Sequence, residues 1–218
     1  MKQNNKELII AQAETDVRNE LENESTGHDW GHIQRVSRLA RTIALQEGAD
    51  LYICQLAALL HDLADAKLNP SEEHGLRRVR TWLDEHGVDP QDTGHVMEII
   101  STMSFKGGNS SPMKTLEGQV VQDADRLDAI GAIGIARVFT YSGAKGRVMH
   151  DPKVKPRETM TESEYRNGQD TAINHFYEKL LKLKGLMNTA YGRALAEQRH
   201  QFMLEYLEQF YAEWEGEK

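Results

Sequence analysis

Apolar residues recur every three or four positions through most of this chain, and no alternating run is long enough to make a convincing strand series. That period suits amphipathic helices and not a sheet-based core, so the expected fold class is all-α. Residues 6–22 show the pattern in Leu8, Ile9, Ala11, Ala13, Val17 and Leu21. After the break NESTGHDWG, where Ser25 and Thr26 are candidate caps, HIQRVSRLARTIALQEG repeats it at Ile33, Val36, Leu39, Ala40, Ile43 and Ala44, and Gly48 supplies a stop. A third helix over about 50–64 is apolar nearly all round, which places it at the centre of a core. Helices are also expected near 70–86 and 90–104, with a turn-rich loop at 105–112. Next, TLEGQVVQDADRLDAIGAIGIARVFTYSG keeps helical spacing at Val121, Ala124, Leu127, Ile130, Ile133 and Val138, and Gly131 and Gly134 permit close packing. Two closing helices span about 169–185 and 189–214, whereas 141–168 lacks periodicity and reads as a functional loop or lid.

Polar residues interrupt this pattern at three places. His28 and His32 stand four apart at a helix start and can face one side. By themselves they are most simply capping or surface histidines. His61 and Asp62 close the most apolar helix, in LAALLHDLADAK, where each needs a partner or a cavity. A buried, unpaired carboxylate costs several kcal/mol, which favours pairing, protonation or a cation. In QDADRLDAIGA, Asp123, Asp125 and Asp128 fall among Val120, Val121, Leu127, Ile130 and Ile133, which leave little solvated face; Asp125 and Asp128 share a side. Histidine, His-Asp and aspartate on three apolar helices could therefore meet at one metal ion. Imidazole with carboxylate suits Mn, Fe, Co, Ni or Zn better than Ca, and two carboxylates weaken the preference for Zn.

Charge and length limit the partners. With 34 acidic and 26 basic residues the net charge is −8, which argues against a general nucleic-acid surface but leaves room for a local phosphate pocket. A small nucleotide is the better candidate. The single Cys54 lies in the apolar run LYICQLAALL and reads as a buried hydrophobe, in keeping with a reducing, cytoplasmic setting. Neither a secretion signal nor a membrane span is expected.

The order His32, His61-Asp62, Asp125, in the contexts HDWGHIQRV, AALLHDLADAK and DADRLDAIGA, resembles the HD-domain superfamily of metal-dependent phosphohydrolases. The later HFYEKLLKLKGLMNT and RHQFMLEYLEQF extend the likeness to a compact bacterial subgroup regarded as nucleotide phosphohydrolases. The resemblance implies an HD-domain helical bundle with a C-terminal helical extension, a single domain over residues 1–218 with its HD core at about 20–140. It implies one divalent metal, Mn before Fe, Co, Ni, Mg or Zn, bound by His32, His61, Asp62 and Asp125, with His28 as a supporting or phosphate contact. No second His-Asp pair marks a two-metal branch. Asp65 occupies the place where related guanosine-tetraphosphate hydrolases carry an acid that assists the attacking water.

Candidate substrate contacts are Arg35, Lys67, Arg126, Asp128, Lys145, Arg147 and His175 in addition to His28. Arg35 and Arg126 could equally pair with carboxylates, and Lys67 could be solvated. The expected activity is hydrolysis of a nucleoside or deoxynucleoside triphosphate to monophosphate and pyrophosphate. A 5′-nucleotidase or other phosphoesterase is the enzymatic alternative, and a metal-dependent nucleotide-binding domain without turnover is the non-enzymatic one.

Overall fold

The computed structural model describes residues 2–22, 24, 29–65, 68–103, 112–157 and 171–218, with the side chains of Lys2 and Gln3 outside that description. Among these residues there are nine α-helices and no strand. They are α1 (Lys2–Leu21), α2 (Trp30–Glu47), α3 (Leu51–Leu60), α4 (Glu72–Glu85), α5 (Pro90–Thr102), α6 (Leu116–Asp128), α7 (Gly131–Ala144), α8 (Ala172–Glu178) and α9 (Ala190–Trp214). Two 3₁₀ turns, His61–Ala64 and Leu180–Leu186, follow α3 and α8. The chain divides into two compact units, Met1–Asp125 and Arg126–Lys218.

In the first unit α3 is the central element, packed by α1, α2 and α5, while α4 covers the 3₁₀ turn at its end. Ile53, Cys54, Leu56, Ala57, Ala58, Leu59 and Leu60 are buried almost completely, as the all-round apolarity predicts. Truncating Leu56 or Leu59 to alanine would cost about 2–5 kcal/mol. Burial also pushes the Cys54 thiol pKa up, keeping it inert. The helices begin at side-chain caps: Asp29 accepts from His32 N at 2.7 Å and Asp50 from Tyr52 N at 2.8 Å. Gly48 ends α2 with φ 76°, the left-handed conformation that its sequence position suggests. The residues expected to cap α2, Ser25 and Thr26, lie outside the described residues, and Asp29 performs that role.

In the second unit α7 packs on α8 and α9, and the second 3₁₀ turn packs on both α8 and α9. The segment after α7 is tied down as far as Arg157. Val148 and Met149 carbonyls accept from Ala172 N and Ile173 N, and Asn174 Nδ2 donates to Val154 O at 3.0 Å. Arg157 completes the attachment through Nε and Nη2, at 2.9 and 2.6 Å from the Glu178 carboxylate. The first part of the expected lid is thus anchored, and residues 158–170 lie outside the described residues.

The structure corrects several boundaries. The single helix expected through 115–143 is two helices, because the chain turns at Ile130 and Gly131 takes φ 74°. A Cβ on Gly131 would also stand 2.9 Å from Arg199 Cγ, so the position needs glycine twice over. The helix expected over 169–185 is α8 followed by a 3₁₀ turn, and the third helix leaves α geometry after Leu60. Leu8, Ile133, Phe202 and Leu204 face solvent, with 40–68% exposure. In α1 the core stripe is Ile9, Ala13, Val17 and Leu21, a spacing of four that leaves Leu8 off the buried face. No helix among the described residues is long and apolar enough to cross a membrane.

Candidate metal centre

The geometry of α2 and α3 brings the sequence-predicted groups together. His32 stands in the first turn of α2, fixed by the Asp29 cap on its own N–H. His61 and Asp62 begin the 3₁₀ turn that ends the most buried helix. His32, His61 and Asp62 are all buried, and each offers a ligand atom within 4.8 Å of the others. Asp125, near the end of α6, adds a half-exposed carboxylate.

The spacings among His32, His61 and Asp62 suit a shared ion, and Asp125 stands beside the two histidines. His32 Nε2 is 3.5 Å from Asp62 Oδ2 and 3.5 Å from Asp125 Oδ1, while His61 Nε2 is 3.2 Å from Asp62 Oδ1 and 4.0 Å from Asp125 Oδ1. Donors about 2.1 Å from one cation are separated by about 3 Å at right angles and about 4 Å when opposed. The imidazole protonation agrees. His61 Nδ1 lies 2.8 Å from the Ala58 carbonyl, which can only accept, so Nδ1 carries the proton and Nε2 presents its lone pair to the cluster. That Nε2 is buried without a hydrogen bond. Burial pushes the His61 pKa down, but Asp62, Asp125, the Ala58 carbonyl and Asp65 outweigh it, and the net shift is upward. The pocket attracts positive charge, whether a proton or a metal ion. These residues therefore fit a divalent cation by donor type, spacing and the lone pair left at Nε2.

Asp65 follows the 3₁₀ turn in an extended conformation, its N–H donating to Asp62 O at 3.0 Å. It is half-buried and close enough to His61 to act on its pKa. Arg35 is half-buried beside the start of α2. Its Nη1 and Asp29 Oδ1 would meet a Cβ on Gly31 at 3.2 and 2.9 Å, so Gly31 makes room for both charged groups.

The other predicted contacts divide between structural partners and undescribed positions. Asp128, expected among substrate contacts, has a side chain 1% exposed, and its carboxylate is engaged by Arg137. Arg126 donates to the Leu186 carbonyl. Lys145 and Arg147 stand 5.8 and 5.7 Å from the ring centre of Tyr141, in cation–π contact. His175 is half-buried on α8. His28 and Lys67 lie outside the described residues.

Helices that gather a histidine, a His-Asp pair and a further aspartate define a class of all-helical domains with an imidazole–carboxylate centre. Residues 29–130 match the HD domain family, and the chain belongs to the HD-domain superfamily. The uncharacterized protein YpgQ of Bacillus subtilis is 43% identical over 207 residues, covering 94% of this chain and 93% of YpgQ. An HD-superfamily hydrolase from Bacillus thuringiensis matches with TM-score 0.78 and 47% identity, covering 97% of this chain and 99% of its own. The structure of B. subtilis YpgQ in complex with ADP matches with TM-score 0.77 and 42% identity, covering 95% and 98% of the two chains.

Proposed function

We propose that this protein is a cytoplasmic, metal-dependent phosphohydrolase of small nucleotides and that the whole chain serves as one hydrolase domain. His32, His61, Asp62 and Asp125 would hold one divalent metal, with Mn the first candidate. The observation that carries the reading is the buried His61 Nε2, whose lone pair faces Asp62 with no hydrogen bond. Once bound, the metal supplies Lewis acidity toward water and a phosphoryl oxygen. The Asp65 carboxylate would accept the proton that the attacking water loses, a task that needs a base within reach of the site. Arg35, about one helical turn from His32 in the sequence, would meet phosphate charge. The ADP complex of the YpgQ relative supports a nucleotide as ligand. Subgroup resemblance supports a nucleoside or deoxynucleoside triphosphate, cut to monophosphate and pyrophosphate.

The test is a nucleotide screen with chelated protein reloaded with Mn, Mg, Co, Ni, Fe or Zn, and with products identified. The reading expects a triphosphate to yield pyrophosphate. Orthophosphate released from a monophosphate would replace it with a 5′-nucleotidase, and stoichiometric nucleotide binding without hydrolysis would replace it with a binding domain.

A further inference from the structure

One side chain takes the carbonyls of Leu63, in the 3₁₀ turn that carries His61 and Asp62, and of Asp65, which follows the turn and also accepts from Leu68 N at 3.0 Å. Asn69 Nδ2 donates to Leu63 O and to Asp65 O, each at 2.8 Å. Both amide protons are thereby used. The other end of the amide is held in turn, since Asn69 Oδ1 accepts from Arg78 Nη1 at 3.3 Å. Arg78 Nη2 stands 2.6 Å from each carboxylate oxygen of Glu20, so the chain of contacts reaches α1. Helix α4, which carries Arg78, also presses directly on the turn. A Cβ on Gly75 would lie 2.5 Å from Ala64 O, 2.7 Å from Ala64 Cα and 2.8 Å from Ala64 C, all backbone atoms. Only glycine allows that approach.

We infer that Asn69, oriented by Arg78, is a positioning residue that sets the direction of Asp65. The carbonyls of residues 63 and 65 bracket the point where the backbone leaves the turn for the extended conformation of Asp65. Fixing both restricts the torsions on either side of Asp65 and so aims its Cα–Cβ bond. Asn69 touches no reacting atom in this account; it acts through Asp65. The inference rests on the reading of Asp65 as the proton acceptor, and its positional part can be tested apart from that reading.

The experiment compares Asp65→Ala, Asn69→Ala, Asn69→Asp and the Asp65→Ala/Asn69→Ala double variant in the full chain. Asn69→Asp keeps the acceptor for Arg78 and removes both N–H donors. Measurements are kcat and KM with Mn, Mn stoichiometry by calorimetry, and amide hydrogen exchange of the 61–65 segment. Asp65→Ala should lower kcat by about 10²-fold or more, and both single Asn69 variants by about 10-fold, with KM changed less than kcat and Mn still bound. Because Asn69 acts through Asp65, the double variant should be no more than about 2-fold slower than Asp65→Ala. The Asp65 amide should exchange about 10-fold faster in both single Asn69 variants, while that of α2 should not change. Unchanged Asp65 exchange would overturn the inference whatever Asp65 does. Full kcat in Asp65→Ala would refute the proton-acceptor reading and, with it, the role of Asn69 in aiming that base. Loss of kcat in Asp65→Ala but not in Asn69→Ala, or fully multiplicative losses in the double variant, would overturn the positioning role alone.

Discussion

Buried carboxylates in the two units are treated in different ways. In the second unit Glu178, with its side chain 2% exposed, meets Arg157, and Asp128, 1% exposed, meets Arg137. A guanidinium is permanently charged and brings its own proton donors, so these pairs are complete as folded. In the first unit Asp62, 5% exposed, faces the Nε2 atoms of His61 and His32 at 3.2 and 3.5 Å. The Ala58 carbonyl holds the His61 proton on the far nitrogen, so the near one offers electrons instead of a proton. An arginine pair locks structure; an imidazole–carboxylate pair that shares lone pairs prepares a place for a cation from solution.

The contrast yields predictions in descending size. Asp62→Ala should abolish stoichiometric metal binding and lower turnover by at least about 10²-fold, since several kcal/mol of transition-state stabilisation goes with the metal. Metal analysis and steady-state kinetics check it, and a full metal complement would refute the assigned ligand set. Arg157→Ala should lower unfolding free energy by about 3 kcal/mol, because Glu178 is left buried with its charge, while metal content stays unchanged. Denaturant titration reads that loss, and an equal loss of metal would erase the distinction between the two kinds of pair. Adding Mn at a hundredfold excess over its Kd should stabilise the wild-type chain by about 2.7 kcal/mol and leave Asp62→Ala unaffected. Thermal melts with and without chelator measure this.

The smallest effect is that of pH. In the metal-free chain the folded pKa of His61 lies above its ordinary 6.5. Its contribution to stability is therefore complete below the unfolded pKa and is lost as pH rises through the folded one. Metal binding runs the other way: the proton competes for Nε2, so Mn affinity should weaken as pH falls through the raised pKa, by at most about tenfold per pH unit. Titration calorimetry across pH follows both arms, and an affinity that is flat across that range would remove His61 from the ligand set.

The candidate centre was legible because its residues conflict with their surroundings. A histidine and an aspartate at the end of α3 have no solvated face, aspartates interrupt the apolar run of α6, and that conflict points to a cation. The fold class followed from the same periodicity. What spacing could not show was where a helix stops without losing its pattern. Val121, Ala124, Leu127, Ile130, Ile133 and Val138 keep helical spacing in the sequence across the turn at Gly131, yet Ile133 faces solvent once α6 and α7 separate there. Spacing also puts Asp128 on the face of Asp125, but α6 ends there, and Arg137 engages a carboxylate that counting along the helix would assign to ligand binding. Asn69 escaped notice for another reason. It acts through main-chain carbonyls, which leave no mark on residue type, and a polar residue shortly after a helix is ordinary.

The central claim is that His32, His61, Asp62 and Asp125 share one metal ion. A crystal of the protein soaked in Mn and measured for anomalous scattering tests it directly. The account predicts one strong peak per chain, about 2.0–2.3 Å from both Nε2 atoms and from an oxygen of each aspartate. Loaded, active crystals with no peak among those four side chains, or with the ion bound elsewhere, would contradict it.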